Sequence, residues 1–192
     1  MSGAESSPGA ERYRPVARAV HWLIAALAVM VVSLGWASGS APRNSPARDS
    51  LLLLHRSVGL TILALMVFRT LWRWFDPAPP PPPALGRIEA GLARLTQFGL
   101  YLIFLVMPLA GYLNAAAAGR AVSFFGLVSV PPLLPVDERL SQFAIAVHLL
   151  GQYVVYLLVS LHVVGALYHG AIRRDGVLDR MLPLRRSVGF KS

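Results

Sequence analysis

The amino-acid sequence predicts an all-α protein, a four-helix transmembrane bundle with both termini in the cytoplasm. Three observations predict it. Four apolar runs, at about 20–38, 51–75, 96–118 and 143–171, each reach the roughly 20 residues that a helix needs to cross a hydrocarbon core. Hydrophobic residues make up 55% of the 192, and the connections are too short to hold a soluble domain as well. The basic residues are also unevenly placed. The N-terminal segment (Arg12, Arg14, Arg18), the second connection with its flanks (Arg69, Arg73, Arg87, Arg94) and the C-terminal segment from Arg173 hold 13 of the 18 Lys and Arg residues. The positive-inside rule puts those three segments on the cytoplasmic side.

The elements follow in order. Residues 1–15, polar and containing Gly, Ser and Pro, read as a disordered cytoplasmic tail; they lack the basic-then-apolar order of a cleaved signal peptide. The membrane domain spans 16–172. Its first helix opens on Arg18 and Trp22, an interfacial pair, which places His21 near the cytoplasmic face. The second helix starts on the outer side, so His55 lies shallow there, and residues 68–74 anchor its inner end. Proline-rich 76–83 predicts a stiff polyproline II connector. Residues 85–95 predict a short amphipathic segment on the interface. The third helix has no histidine, and its Pro108 and Gly111 predict a kink. Residues 119–140 form a longer outer connection, with Phe124 and Phe125 dipping into the interface. The fourth helix returns inward, and 173–192 reads as a basic cytoplasmic tail.

Composition also excludes. The absence of cysteine rules out disulfides, iron–sulfur clusters and covalently attached c-type haem. A net charge of +9 invites a nucleic-acid reading, but no basic–aromatic groove or fold motif supports one.

Chemistry points to the histidines. Ionisable side chains within a bilayer are costly and mark functional interiors. His148 and His162 lie fourteen residues apart, which returns them to nearly one helix face about 21 Å apart. His55 and His148 are both a few residues in from the outer side, and His21 is at the inner end with either His162 or His169. Spacing alone leaves that last choice open. Neutral imidazole is an iron ligand, and two such pairs predict two haems stacked across the membrane, each held axially by two histidines.

Other residues frame these pairs. Gly59, Gly151 and Gly165 each follow a histidine by one turn, which would let a flat macrocycle approach the backbone; the alternative is close helix packing. Arg69 shares the face of His55 one membrane leaflet further in, where its guanidinium would meet a haem propionate or snorkel to the interface. Arg56, beside His55, would pair an outer propionate, draw in an anionic substrate or anchor the interface. His169 would relay protons near the inner haem or sit wet at the interface. Arg56 and His169 are therefore the candidates for a part in catalysis.

The ordered set of His21-Trp22, His55 to Gly59 with Arg69, the proline-rich connector, Tyr101 to Gly111 with Pro108, Phe125-Gly126-Leu127, and His148, His162 and His169 resembles the bacterial cytochrome b-561 family. The resemblance covers nearly the whole chain. It implies a four-helix, di-haem protein of the bacterial inner membrane, with two non-covalent haem b groups ligated by His55/His148 outside and His21/His162 inside, leaving His169 free. It further implies an oxidoreductase that passes electrons from periplasmic superoxide to ubiquinone in the membrane. The alternatives are an electron-transfer subunit serving a dehydrogenase or periplasmic partner protein and, third, a cofactor-free transporter or scaffold. Lipid, quinone, and superoxide or a redox protein are the expected partners, with no nucleic acid.

Overall fold

A computed structural model describes residues 12–80 and 86–182. Four long helices dominate: α1 (Pro15–Ser40), α2 (Pro46–Phe75), α3 (Arg87–Ala117) and α4 (Glu138–Leu167). All four are long and apolar enough to cross a membrane. Large apolar side chains such as Val29 (71% exposed) and Phe143 (68%) stand on their outer faces. Such a surface suits lipid, which solvates apolar groups and demands only that backbone hydrogen bonds close internally. The chain is thus a multi-pass membrane protein.

Each helix begins several residues before its apolar run, for local reasons. Pro15 and Pro46 occupy the first helical turn, where a missing N–H costs nothing. Ser45 Oγ accepts from Arg48 N at 3.2 Å, and Asp137 Oδ1 from Leu140 N at 3.1 Å, satisfying donors that a helix start leaves open. Glu89 reaches back to Gly86 N in the same way at the start of α3. The expected interfacial segment at 85–95 is therefore no separate element: from Arg87 it is the first turns of α3, which runs on through Pro108.

The expected tail 1–15, polyproline connector 76–83 and basic tail 173–192 lie partly outside the described residues. Of their described parts, Pro15 opens α1, Arg173 ends the π-helical turn Tyr168–Arg173 and Leu178–Arg180 forms a short 3-10 turn; the rest is irregular.

The connection between α3 and α4 contains a two-stranded antiparallel hairpin, β1 (Val122–Phe124) and β2 (Val128–Val130), in place of a simple loop. Its turn puts Phe125 and Gly126 at φ of 51° and 75°, the left-handed pair a tight hairpin turn requires. Ser57 on α2 holds the turn: its Oγ accepts from Phe125 N at 2.8 Å, while its single proton is shared between Leu53 O at 2.8 Å and Ser123 O at 3.3 Å. Ser57 is fully buried under the hairpin.

The helices pack in chain order, α1 on α2, α2 on α3 and α3 on α4. The apolar core (Ile24, Val58, Ile62, Met66) lies among α1, α2 and α3. Side chains link α4 to α1 and α2, as in the 2.7 Å bond from Trp36 Nε1 to Tyr156 Oη. Both described chain ends meet at one end of the bundle: Tyr13 N donates to Arg180 O at 3.3 Å and Trp22 Nε1 to Met181 O at 2.8 Å. Below, this is the terminal end, and the opposite one the hairpin end.

Candidate functional site

The spaces between α4 and the α1–α2 pair are bridged by histidines. At the hairpin end His55 of α2 faces His148 of α4, with ring centres 5.9 Å apart and ring planes at 81°. At the terminal end His21 of α1 faces His162 of α4, at 6.0 Å and 74°. Because α4 is one uninterrupted helix between His148 and His162, the pairs lie about 21 Å apart along it.

These distances can be tested against a ligand set. A metal–imidazole nitrogen bond is about 2 Å, so two imidazoles on opposite sides of one ion, with half of each ring added, have centres about 6 Å apart. Both pairs meet that spacing. Among the described residues no group of three or more His, Cys, Asp or Glu side chains is placed to hold a bare ion. A metal suited to two imidazoles alone must bring its remaining ligands with it, as iron in a porphyrin does.

The hairpin-end imidazoles are oriented by backbone. His55 Nδ1 lies 2.9 Å from Val31 O and His148 Nδ1 lies 2.8 Å from Met107 O. A carbonyl only accepts, so each Nδ1 carries a proton, and in the neutral ring Nε2 then keeps its lone pair, the form a metal ligand needs.

The terminal-end pair is framed by charge. Arg69 is only 8% exposed, yet it has no carboxylate partner among the described residues. Its Nε donates to Tyr101 Oη and its Nη1 to Ala17 O, each at 3.0 Å. The Arg69 charge acts on both terminal-end imidazoles, and that of Arg73 on His21. Arg73 Nη2 is buried without a partner among the described residues. A buried cation completed only by neutral acceptors suits an added anion, so this end fits a group with carboxylate arms.

The other residues singled out from sequence fall in different places. Gly165 has open space beside it, and Gly59 has nothing nearer its missing Cβ than Pro108 at 4.0 Å. Gly151 sits against α3: a Cβ there would collide with Met107 Sδ, so in the structure this glycine serves helix packing. Arg56 is exposed at the hairpin end, near enough to Arg120 and Asp49 to feel both charges. His169 lies apart from the His21–His162 pair and is not wet. It sits in the π-helical turn Tyr168–Arg173, 14% exposed at the side chain, with Nδ1 donating to Asp175 Oδ2 at 2.7 Å. Arg173 joins this cluster to Glu89 on α3 at 2.6 Å. Burial opposes the charge on Asp175, but hydrogen bonds from His169 and Val177 N, with the charge of Arg173, hold its carboxyl below the ordinary 3.8. Sequence reasoning missed Val31, Gly35 and Asp175. No periodic signal marks the first two, and Asp175 lay within an apparent basic tail.

A membrane bundle with paired imidazoles at metal-bridging distance and a buried, anion-seeking arginine defines a class: an integral membrane cytochrome with non-covalent haem. The chain belongs to the prokaryotic cytochrome b561 family, whose model matches residues 12–184. Membership implies haem b. Cytochrome b561 homolog 2 of Escherichia coli (strain K12) is 33% identical over 182 residues, covering 90% of this chain and 92% of that protein. A probable superoxide oxidase CybB of Yersinia pestis is 30% identical over 180 residues, covering 92% and 98%. Cytochrome b561 homolog 1 of E. coli is 28% identical over 169 residues, covering 87% and 94%.

Proposed function

We propose that the protein is a di-haem b oxidoreductase of the bacterial inner membrane that takes electrons from superoxide on the periplasmic side and delivers them to ubiquinone. The observation that carries this reading is the pair of imidazole couples, 5.9 and 6.0 Å between ring centres, at two levels of one bundle. His55 and His148 would hold one haem and His21 and His162 the other, with Arg69 pairing a propionate at the terminal end. Gly59 and Gly165 leave room beside a macrocycle. Gly151, packed on α3, acts at one remove by setting the distance between α3 and α4.

Bound haem b supplies one-electron exchange between ferric and ferrous iron. His55 with His148, and His21 with His162, would be the residues that hold each haem iron, and two imidazoles at each iron would suit electron transfer over oxygen binding. The residues then do the rest. The positive-inside rule places the terminal end in the cytoplasm and the hairpin end in the periplasm. Arg43, Arg48, Arg56, Arg120 and Arg139 give the hairpin end a positive field that draws in the superoxide anion. Two superoxide ions yield two dioxygen molecules and two electrons, and a quinone taking both also takes two protons. His169, bonded through Nδ1 to Asp175, would pass a proton at the terminal end.

The relative named a probable superoxide oxidase supports the choice of donor. Two other relatives are named only as cytochrome b561 homologs, which favours a second reading, an electron-carrying subunit for another redox protein. Purified protein, quantified for haem, separates the two when supplied with superoxide and ubiquinone. Superoxide-dependent ubiquinol formation that slows with added salt is the expected result. Intact haem without ubiquinol formation would leave the carrier reading.

A further inference from the structure

The two hairpin-end histidines reach their carbonyls by the same construction. Val31 O accepts from His55, and the residue four positions on is Gly35. Met107 O accepts from His148, and the residue four positions on is Gly111. In an α-helix the carbonyl of residue i points along the axis toward residue i+4, whose N–H it already accepts. A side chain from another helix gets to the second lone pair only by crossing the surface of residue i+4. A Cβ on Gly35 would stand 3.2 Å from His55 Cε1 and 3.3 Å from Nδ1. A Cβ on Gly111 would stand 3.4 Å from the same two atoms of His148. In both cases the contact is with the edge of the ring that makes the hydrogen bond.

The arrangement is repeated across the bundle. In each hairpin of helices, α1–α2 and α3–α4, the second helix supplies the imidazole, and the first supplies a carbonyl with a glycine one turn later. Packing alone does not predict that match. A glycine that merely let two helices approach could face any side chain at any offset from a carbonyl, as Gly99 faces Leu158 and Gly151 faces Met107.

We propose that Gly35 and Gly111 are positioning residues of the hairpin-end site: each opens the path by which the neighbouring helix's imidazole reaches a backbone carbonyl, fixing its tautomer and aiming Nε2 at the metal. The inference rests on the two-haem reading above. An Nδ1–H bonded to a carbonyl makes the imidazole a stronger donor, which favours ferric iron and lowers the midpoint potential. The terminal-end imidazoles have no such bond among the described residues, so they act as an internal reference.

The test uses the full-length protein purified with its haem. Haem per chain and both midpoint potentials are measured, by spectroelectrochemical titration, for wild type, Gly35→Ala, Gly111→Ala, Gly35→Leu and Gly39→Ala. Gly39 has open space beside it and serves as the control. The two alanine variants should raise one midpoint and leave the other in place, with the larger shift at Gly35, where the approach is tighter. Gly35→Leu should lose one haem of two and keep the one whose midpoint did not move. Gly39→Ala should match wild type. Unchanged midpoints in both alanine variants, or loss or displacement of both haems together, would overturn the proposal. None of these readouts uses superoxide or quinone, so an inactive protein that still shows the single-haem shift contradicts the donor and acceptor assignment alone. Wild-type protein with fewer than two haems contradicts the cofactor reading beneath both.

Discussion

The two ends of the bundle treat near-identical imidazole pairs in different ways. At the hairpin end both rings are partly buried and tied through Nδ1 to helix carbonyls, so the backbone fixes their rotation and their tautomer. At the terminal end His162 is exposed, and neither His162 nor His21 has a hydrogen-bond partner among the described residues. There the protein supplies charge instead, with Arg69 buried beside the pair and Arg73 close to His21. The lesson is that a bundle can define a two-histidine site by aiming its ligands or by setting the field around them. The first would fix ligand geometry and the second would recognise an anionic group.

Removing one histidine at a time should have the largest effect. His148→Ala should cost one haem of two and spare the terminal-end site, and His162→Ala should do the reverse; haem extraction against protein concentration reads both. His169→Ala should keep two haems, since its ring is committed to Asp175. Loss of a haem there would reassign the terminal-end ligand.

A smaller effect separates aim from field. Arg69→Gln keeps a donor for the Ala17 carbonyl but removes the charge. It should lower the terminal-end midpoint by the equivalent of about 1–2 kcal/mol and leave the hairpin-end midpoint unmoved. Equal shifts at both sites would dissolve the distinction between them.

The smallest effect concerns the cluster behind the terminal-end pair. Asp175 has its pKa depressed below 3.8, so the stability it contributes is complete above that value and is lost as pH falls through the lower, folded-state pKa. Asp175→Asn should therefore lower thermal stability, by about 1 kcal/mol, at neutral and mildly acidic pH. The gap from wild type should close below pH 3.8, the ordinary value for this group. A gap that persists there would mean the side chain matters through packing alone.

Much of this protein was legible without coordinates. The lengths of the apolar runs set four spans, because a bilayer of fixed thickness demands a helix of fixed length. The fourteen-residue interval from His148 to His162 set two levels on one face, because helical rise and turn are constants of the backbone. Even the early helix starts were present in the sequence, at Pro15, at Ser45-Pro46 and at Asp137, although the apolar pattern drew attention away from them.

What the tertiary structure decided depends on how neighbouring helices are rotated against one another. It set His162, not His169, against His21, and turned His169 to Asp175. It gave Gly151 to Met107, and it gave Gly35 and Gly111 to the histidines of other helices. The hairpin over Ser57 belongs here too, since its turn is held by a hydroxyl some 68 residues earlier in the chain. A periodic pattern records which face of a helix is apolar. It does not record which atoms of the next helix that face will meet, and at the hairpin end those atoms are main-chain oxygens that every residue carries alike.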